Sequence, residues 1–235
     1  MTFSLKRTMA IFQKDYKDVS KNMYVSFTVV IPIFMAFLYG WQGNMTIDMH
    51  YVVFNMTLSL VGAYVQCSLI AEEKEKNTLR GLMLSPASTL EILAGKSLLT
   101  FITTMIIIVL SAYIVDYQPE SMGLVAVGMI LSAIFYIGLG TLLGLVTKSV
   151  MEASVVIMPF FFIFTFGSFA AGLAEKFPIL KVAEYMPNSQ LVELAKAVEA
   201  GGGFGDVWTY LAVISAWIAA SFLLAYATFK KRMMD

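Results

Sequence analysis

Long apolar runs separated by short polar stretches organise this chain from end to end. A helix needs about 20 mostly apolar residues to cross a bilayer. Six runs meet that length, at 23–40, 51–71, 93–115, 122–146, 151–173 and 207–229. Ahead of the first, Leu5, Met9, Phe12, Tyr16 and Val19 recur every three or four residues, while Lys6, Arg7, Lys14, Asp15, Lys17 and Asp18 fill much of the remaining surface. That spacing predicts an amphipathic helix over 1–22 lying in the headgroup plane. Between the fifth and sixth runs, the stretch 174–206 is too polar or too broken to cross. Pro178 and Pro187 punctuate it, Leu191, Leu194, Ala195 and Val198 share one helical face, and Gly201, Gly202 and Gly203 end it. Short helices at the outer rim of the membrane are expected there, with Asp206 and Trp208 opening the last span.

Composition turns this pattern into a fold class. The chain of 235 residues is 59% hydrophobic and only 14% charged, with 18 Phe, 16 Met and a mean hydropathy of +0.77. A soluble domain of this length needs more polar surface. The expectation is an all-α integral membrane protein forming a single transmembrane domain over 1–235. Net charge is zero, so only its distribution informs. With the N-terminus inside, thirteen of the 16 Lys and Arg fall on inner segments, leaving Lys176, Lys181 and Lys196 outside. Acidic residues divide eight and eight, so the bias is specific to basic residues and sets both termini in the cytoplasm. The first apolar run begins near Met23 after a Lys-rich segment and lacks a small-residue cleavage pattern, so no cleavable signal peptide is expected. The single Cys67, inside an apolar run, excludes an internal disulfide. His50, the one histidine, sits near Asp48 and reads as a solvated loop residue. No carboxylate lies well inside a span, which argues against a membrane-embedded enzyme such as a lipid-modifying one.

The inner stretch 72–92 carries the most local detail. Glu72, Glu73, Lys74, Glu75 and Lys76 extend the second span into water, Glu72 and Lys76 being an i,i+4 pair in the favourable order. A charge run of this kind is most often a solvated helix end. Asn77 offers a cap, and Leu79, Leu82 and Met83 then place three large apolar groups on one side of a short helix, with Arg80 off that side. Ser85-Pro86 stops it. Ser88 and Glu91 match a capping box that starts the third span. Burying three such apolar side chains contributes on the order of 5 to 9 kcal/mol at most. Switching a two-state protein takes about 5.5 kcal/mol of differential binding, so a partner gripping this element has enough leverage to change conformation.

The segment "EEKEKNTLRGLMLSPASTLEILAGK", following the second of six spans and preceded by an interfacial helix, resembles the coupling region of the type-2 ABC exporter permeases. Thr78, Leu79, Leu82, Ser85, Pro86, Gly95 and Lys96 fit the pattern, while Asn77 stands where the family has Gly and Arg80 where an acidic residue is common. Asn tolerates the left-handed turn a Gly would make. "YMPNSQLVELAKAVEAGG" is similar to the family's outer helices after the fifth span. The resemblance implies a half-transporter that pairs with a second permease copy or a paralogue and with two cytosolic ABC ATPase subunits, in the plasma membrane of a bacterium. It implies ATPase coupling at Glu72, Glu73, Asn77, Thr78, Leu79, Arg80, Leu82, Met83, Ser85 and Pro86. The chain has no phosphate-binding G-x-x-x-x-G-K-[ST]; "GLGTLLGLVTKS" lacks the Gly before Lys148. ATP and Mg are therefore expected in the partner ATPase, with no cofactor and no metal in this chain.

Polar residues inside spans mark pathways or inter-helix hydrogen bonds. The second span carries Asn55 and Gln66 among several hydroxyls, and either reading suits them. Lys148 and Glu152 are spaced for an ion pair at the membrane interface, while Gly140 and Gly144 are spaced for close helix packing. The resemblance brings the first, second and fifth spans to a dimer seam, with substrate contacts expected at Tyr39, Asn55, Phe162, Thr165 and Phe169. No hydrated polar stripe runs through the spans, which favours movement of an amphipathic or apolar molecule, such as a hydrophobic drug, a lipid-linked compound or an amphipathic peptide toxin, over an ion; the absence of a large soluble domain fits a drug or peptide exporter, with export of a lipid-linked glycan or of ions as the alternative.

Overall fold

In the computed structural model, residues 4–43, 45–78, 87–171 and 177–232 are described. The amphipathic N-terminal segment forms α1 (Leu5–Lys21), followed by α2 (Met23–Gln42), α3 (Ile47–Glu75), α4 (Thr89–Ile114), α5 (Met122–Val146) and α6 (Val150–Ala171). A 3₁₀ segment (Pro178–Tyr185), α7 (Pro187–Glu199) and α8 (Phe204–Arg232) complete the chain. The helices α2, α3, α4, α5, α6 and α8 are each long and apolar enough to cross a membrane. They coincide with the six apolar runs. No strand occurs among the described residues.

The second span, α3, is the hub. Of its apolar window 94% is buried, against 22–56% for the other five. Gly140 and Gly144 of α5 pack directly on the backbone of α3 at Ala63 and Cys67, as their spacing predicts, leaving no room for a side chain. Gln66 ties three spans together: its amide nitrogen donates to Thr141 at 3.0 Å and its oxygen accepts from Thr100 at 2.7 Å. Gln66 is thereby an inter-helix tie. Midway along α3, Leu58–Tyr64 widen into a π-helical stretch, a departure that costs regular hydrogen bonding and commonly coincides with functional positions.

Two local expectations change. His50 is on the first turn of α3, half-buried, with its ring nitrogens 3.0 Å from the Thr46 carbonyl and 3.3 Å from the Val115 carbonyl and its ring against Tyr117. It fastens the N-terminal end of α3 to the C-terminal end of α4 and is no solvated loop residue. Glu152 accepts from the Lys148 backbone N–H at 2.6 Å and makes no ion pair with the Lys148 ammonium among the described residues. At the first turn of α6, free N–H groups offer a carboxylate a closer partner than a flexible lysine.

The segment after α6 folds back on the bundle. Leu191, Leu194, Ala195 and Val198 of α7 are buried on one face, and Leu191 and Leu194 lie against Gly128 of α5. Lys196 at the other end of α7 pairs with Asp48 at the mouth of α3, at 3.0 Å.

Candidate functional site

At the end of the bundle that carries the loop after α3, α1 lies along the start of α4. The approach is close because residue 95 is glycine: a Cβ there would stand 2.9 Å from both the Thr8 carbonyl oxygen and a methyl of Ile11. Beneath this contact Lys96 is 1% exposed, and its ammonium donates to both oxygens of Asp15, at 3.1 and 3.0 Å, and to Glu73 at 3.1 Å. Lys14 bonds the same Glu73 oxygen, and the Thr78 hydroxyl donates to the other. Two ammonium groups face two carboxylates, so the buried charge balances and each charged group is hydrogen-bonded, the condition under which buried ions are tolerated. Burial pushes the Asp15 carboxyl above its usual range, with Lys96 and Lys14 pulling it back. Burial also works against the Lys14 charge, yet the hydrogen bond to Glu73 and the surrounding carboxylates leave its pKa raised.

A second cluster lies nearer the N-terminus of α1. The predicted capping box forms: Ser88 Oγ accepts from the Glu91 N–H at 3.3 Å, and Glu91 accepts from the Ser88 N–H at 2.7 Å. The buried Glu91 carboxylate also takes a two-pronged bond from Arg7, Nε at 2.9 Å and Nη2 at 2.7 Å, and the Ser4 N–H at 2.5 Å. Arg7 and Lys14 are two turns apart on one helix. Hence α1 grips the inner loop at its entry, through Glu73 and Thr78, and at its exit, through Glu91 and Ser88.

The charge run before this loop is more than a solvated end. Glu72 pairs with Lys76 at 2.5 Å as predicted. Lys74 instead donates to the carbonyls of Leu145, at 2.8 Å, and Thr147, capping the C-terminus of α5 where cations are favoured. Glu75 accepts the Val150 N–H at 2.9 Å at the start of α6. Glu73, the second carboxylate of the run, is 3% exposed. Composition suggests solvation; the tertiary fold supplies partners from α1, α4, α5 and α6. Asn77 turns the chain out of α3 at φ 55°, the left-handed conformation its place in the motif requires. Leu79, Arg80, Leu82, Met83, Ser85 and Pro86 lie outside the described residues.

The residues expected along a substrate route divide. Tyr39 is half-buried against the core, and Phe162 and Phe169 point outward from α6, 57% and 51% exposed. Asn55 and Thr165 are fully buried, and neither Asn55 amide atom nor the Thr165 hydroxyl has a hydrogen-bond partner among the described residues. The hydrogen bond between Tyr64 and Ser154, 2.8 Å, sets the register of the antiparallel α3 and α6 and places Asn55 and Thr165 within about one turn of each other in height. Asn188, at the start of α7, has the same unpartnered amide and lies 2.7 Å from the space a Cβ on Gly167 would fill. The sequence did not single it out, since an Asn after Pro187 reads as an ordinary helix start.

Residues 11–227 match the family model of the ABC-2 family transporter proteins. The chain belongs to that family. It is therefore the membrane-spanning component of an ABC transporter, a component that works with an ATP-binding subunit and is not itself the ATPase. None of the curated proteins matches the chain.

Proposed function

We propose that this ABC-2 permease is the membrane half of an ATP-driven exporter, moving amphipathic or hydrophobic molecules of the peptide or drug class out of a bacterial cell. Two cytosolic ATPase subunits bind Mg-ATP and dock on the loop after α3, where Leu79, Leu82 and Met83 provide the apolar grip. Both termini are cytoplasmic, and the permease works with a second permease subunit. The observation that carries this reading is the pair of ion clusters, Asp15–Lys96–Glu73–Thr78 and Arg7–Glu91–Ser88, fastening α1 to both ends of that loop. With both ends held, a displacement of the loop moves α1, α3 and α4 as one body; a loop tied at one end would yield by bending.

Asn55 and Thr165 are the polar contacts of the proposed route. Their unpartnered atoms favour a conformation in which α3 and α6 separate and a substrate or water takes the vacant hydrogen bonds. The outward Phe162 and Phe169 suit an apolar cargo. The test is co-purification of the ATPase and substrate-dependent ATP hydrolysis with Leu82→Asp and Met83→Asp. Loss of either supports docking at this loop; unchanged assembly together with unchanged export overturns it.

A further inference from the structure

The helical repeat gives α1 three distinct faces. One packs on the bundle, with Thr8, Ile11 and Asp15 buried and Arg7, Lys14 and Asp18 along its edge. A second is apolar and uncovered: Leu5, Met9 and Tyr16, spaced by four and seven residues, are 77%, 47% and 60% exposed. The third carries Lys6, Gln13, Lys17 and Lys21, spaced by seven, four and four residues and all exposed.

Charge divides between these faces. Both carboxylates of α1 turn to the bundle, where Lys96 holds Asp15 at 3.0 Å and Lys14 meets Asp18 at 3.5 Å. Arg7 and Lys14 are engaged there by Glu91 and Glu73. Lys6, Lys17 and Lys21 form no ion pair among the described residues. Lys21 borders a recess that also contains Asp18, Glu72 and Lys76, but the two carboxylates in it are already met, Asp18 by Lys14 and Glu72 by Lys76. The uncovered faces of α1 are thus apolar or positive, with no acid between. Lys17 and Lys21 stand at i,i+4, where like charges repel, and an anionic surface removes that repulsion.

The apolar face also continues into a span. Asn22 starts α2 by accepting from the Val25 N–H at 3.4 Å, and the first outward residues of α2, Met23 and Phe27, are 84% and 69% exposed. A lysine stripe beside an apolar stripe that runs on into a span complements a surface that is hydrocarbon below and anionic above. An acidic protein would satisfy the lysines and leave the apolar stripe unmatched. We infer that Lys6, Lys17 and Lys21 bind the acidic phospholipid headgroups of the leaflet in which α1 lies, and that lipid charge, by seating α1, regulates the loop that its opposite face holds through Asp15 and Arg7. The inference rests on the permease reading and adds to it a regulating ligand, an anionic phospholipid surface.

The test uses the chain with its ATPase subunit, reconstituted in vesicles of phosphatidylcholine alone or mixed with phosphatidylglycerol. Since Cys67 is the single cysteine, Met9→Cys in a Cys67→Ala background carries one polarity-sensitive fluorophore on the apolar stripe of α1. Phosphatidylglycerol should shift the probe toward an apolar environment and change basal ATP hydrolysis several-fold, both effects fading as salt rises. Each lysine near an anionic surface strengthens binding about five-fold. The triple variant Lys6→Gln, Lys17→Gln, Lys21→Gln should therefore lose both responses while matching wild type in phosphatidylcholine, and Gln13→Lys should lower the phosphatidylglycerol fraction needed for half the response. The inference is overturned if the triple variant responds to phosphatidylglycerol as wild type does, or if the wild-type probe ignores lipid charge. It is also overturned if the triple variant sheds the ATPase subunit in phosphatidylcholine, which makes the stripe a protein contact, or if soluble glycerophosphoglycerol reproduces the response, which makes it a site for a free anion. A wild-type chain that retains no ATPase subunit counts against the permease reading, while the probe, which needs no ATPase, still decides the lipid contact.

Discussion

Lys96, the eighth residue of α4, holds both carboxylate oxygens of Asp15 on α1, at 3.1 and 3.0 Å, with both side chains 1% exposed. A buried ion pair is a poor source of net stability, since desolvation offsets most of the attraction, but removing one partner strands the other. Separating α1 from α4 would therefore strand both charges.

Lys96→Met should cost about 3–5 kcal/mol, because Asp15 and Glu73 then share a buried site with Lys14 alone. Thermal unfolding of the purified complex measures it. Adding Asp15→Leu should recover a large part of the loss in stability without restoring ATP-driven transport, since the spans would regain packing but not the ion pair. Recovery of both would show that the ions contribute only to folding.

Gly95→Ala is a one-carbon change aimed at the distance between α1 and α4. With Thr8 backbone oxygen and Ile11 both 2.9 Å from the new atom, α1 must move, at about 1–3 kcal/mol by comparison with other overpacked sites. Substrate-stimulated ATP hydrolysis should fall more than basal hydrolysis. Equal falls, or none, would detach the helix contact from coupling.

At Asn77 the backbone φ of 55° separates two substitutions of similar exposure. Asn77→Gly should be neutral, whereas Asn77→Val should destabilise by about 1–2 kcal/mol because a β-branched residue is strained in the left-handed region. Retention of the ATPase subunit on heating the detergent-solubilised complex reads the difference. Indifference to Val would mean the turn re-forms elsewhere.

Asn55→Leu and Thr165→Val remove polar atoms that lack partners among the described residues. Replacing an unsatisfied buried polar group with an apolar one of similar shape should leave the melting temperature unchanged or raise it, by up to about 1–3 kcal/mol of stability. Transport into inverted vesicles should nonetheless drop. Higher stability with full transport would remove these two residues from the route.

The periodicities were enough for most of what depends on neighbours along the chain, the Lys148–Glu152 pair excepted. Six spans, the amphipathic α1, the Ser88–Glu91 capping box, the Glu72–Lys76 pair and the buried face of α7 all follow from residues within a turn or two of each other, where helical geometry leaves little choice. Charge asymmetry and motif likewise pointed to the inner loop as the place where a partner acts. What no local pattern contained is which distant groups meet. Lys96 with Asp15, Arg7 with Glu91, Lys74 with the end of α5, and Glu75 with the start of α6 join positions 71 to 84 residues apart, and a charge run reads as solvated until the fold brings its counter-ions. Depth behaves the same way. Glu184 and Lys181 look like outer-loop residues by sequence, and only the bond from Trp217, midway along α8, to Tyr185 reveals that the loop descends between the spans, because the energy that draws it in comes from packing Leu191 and Leu194 against Gly128 on another helix.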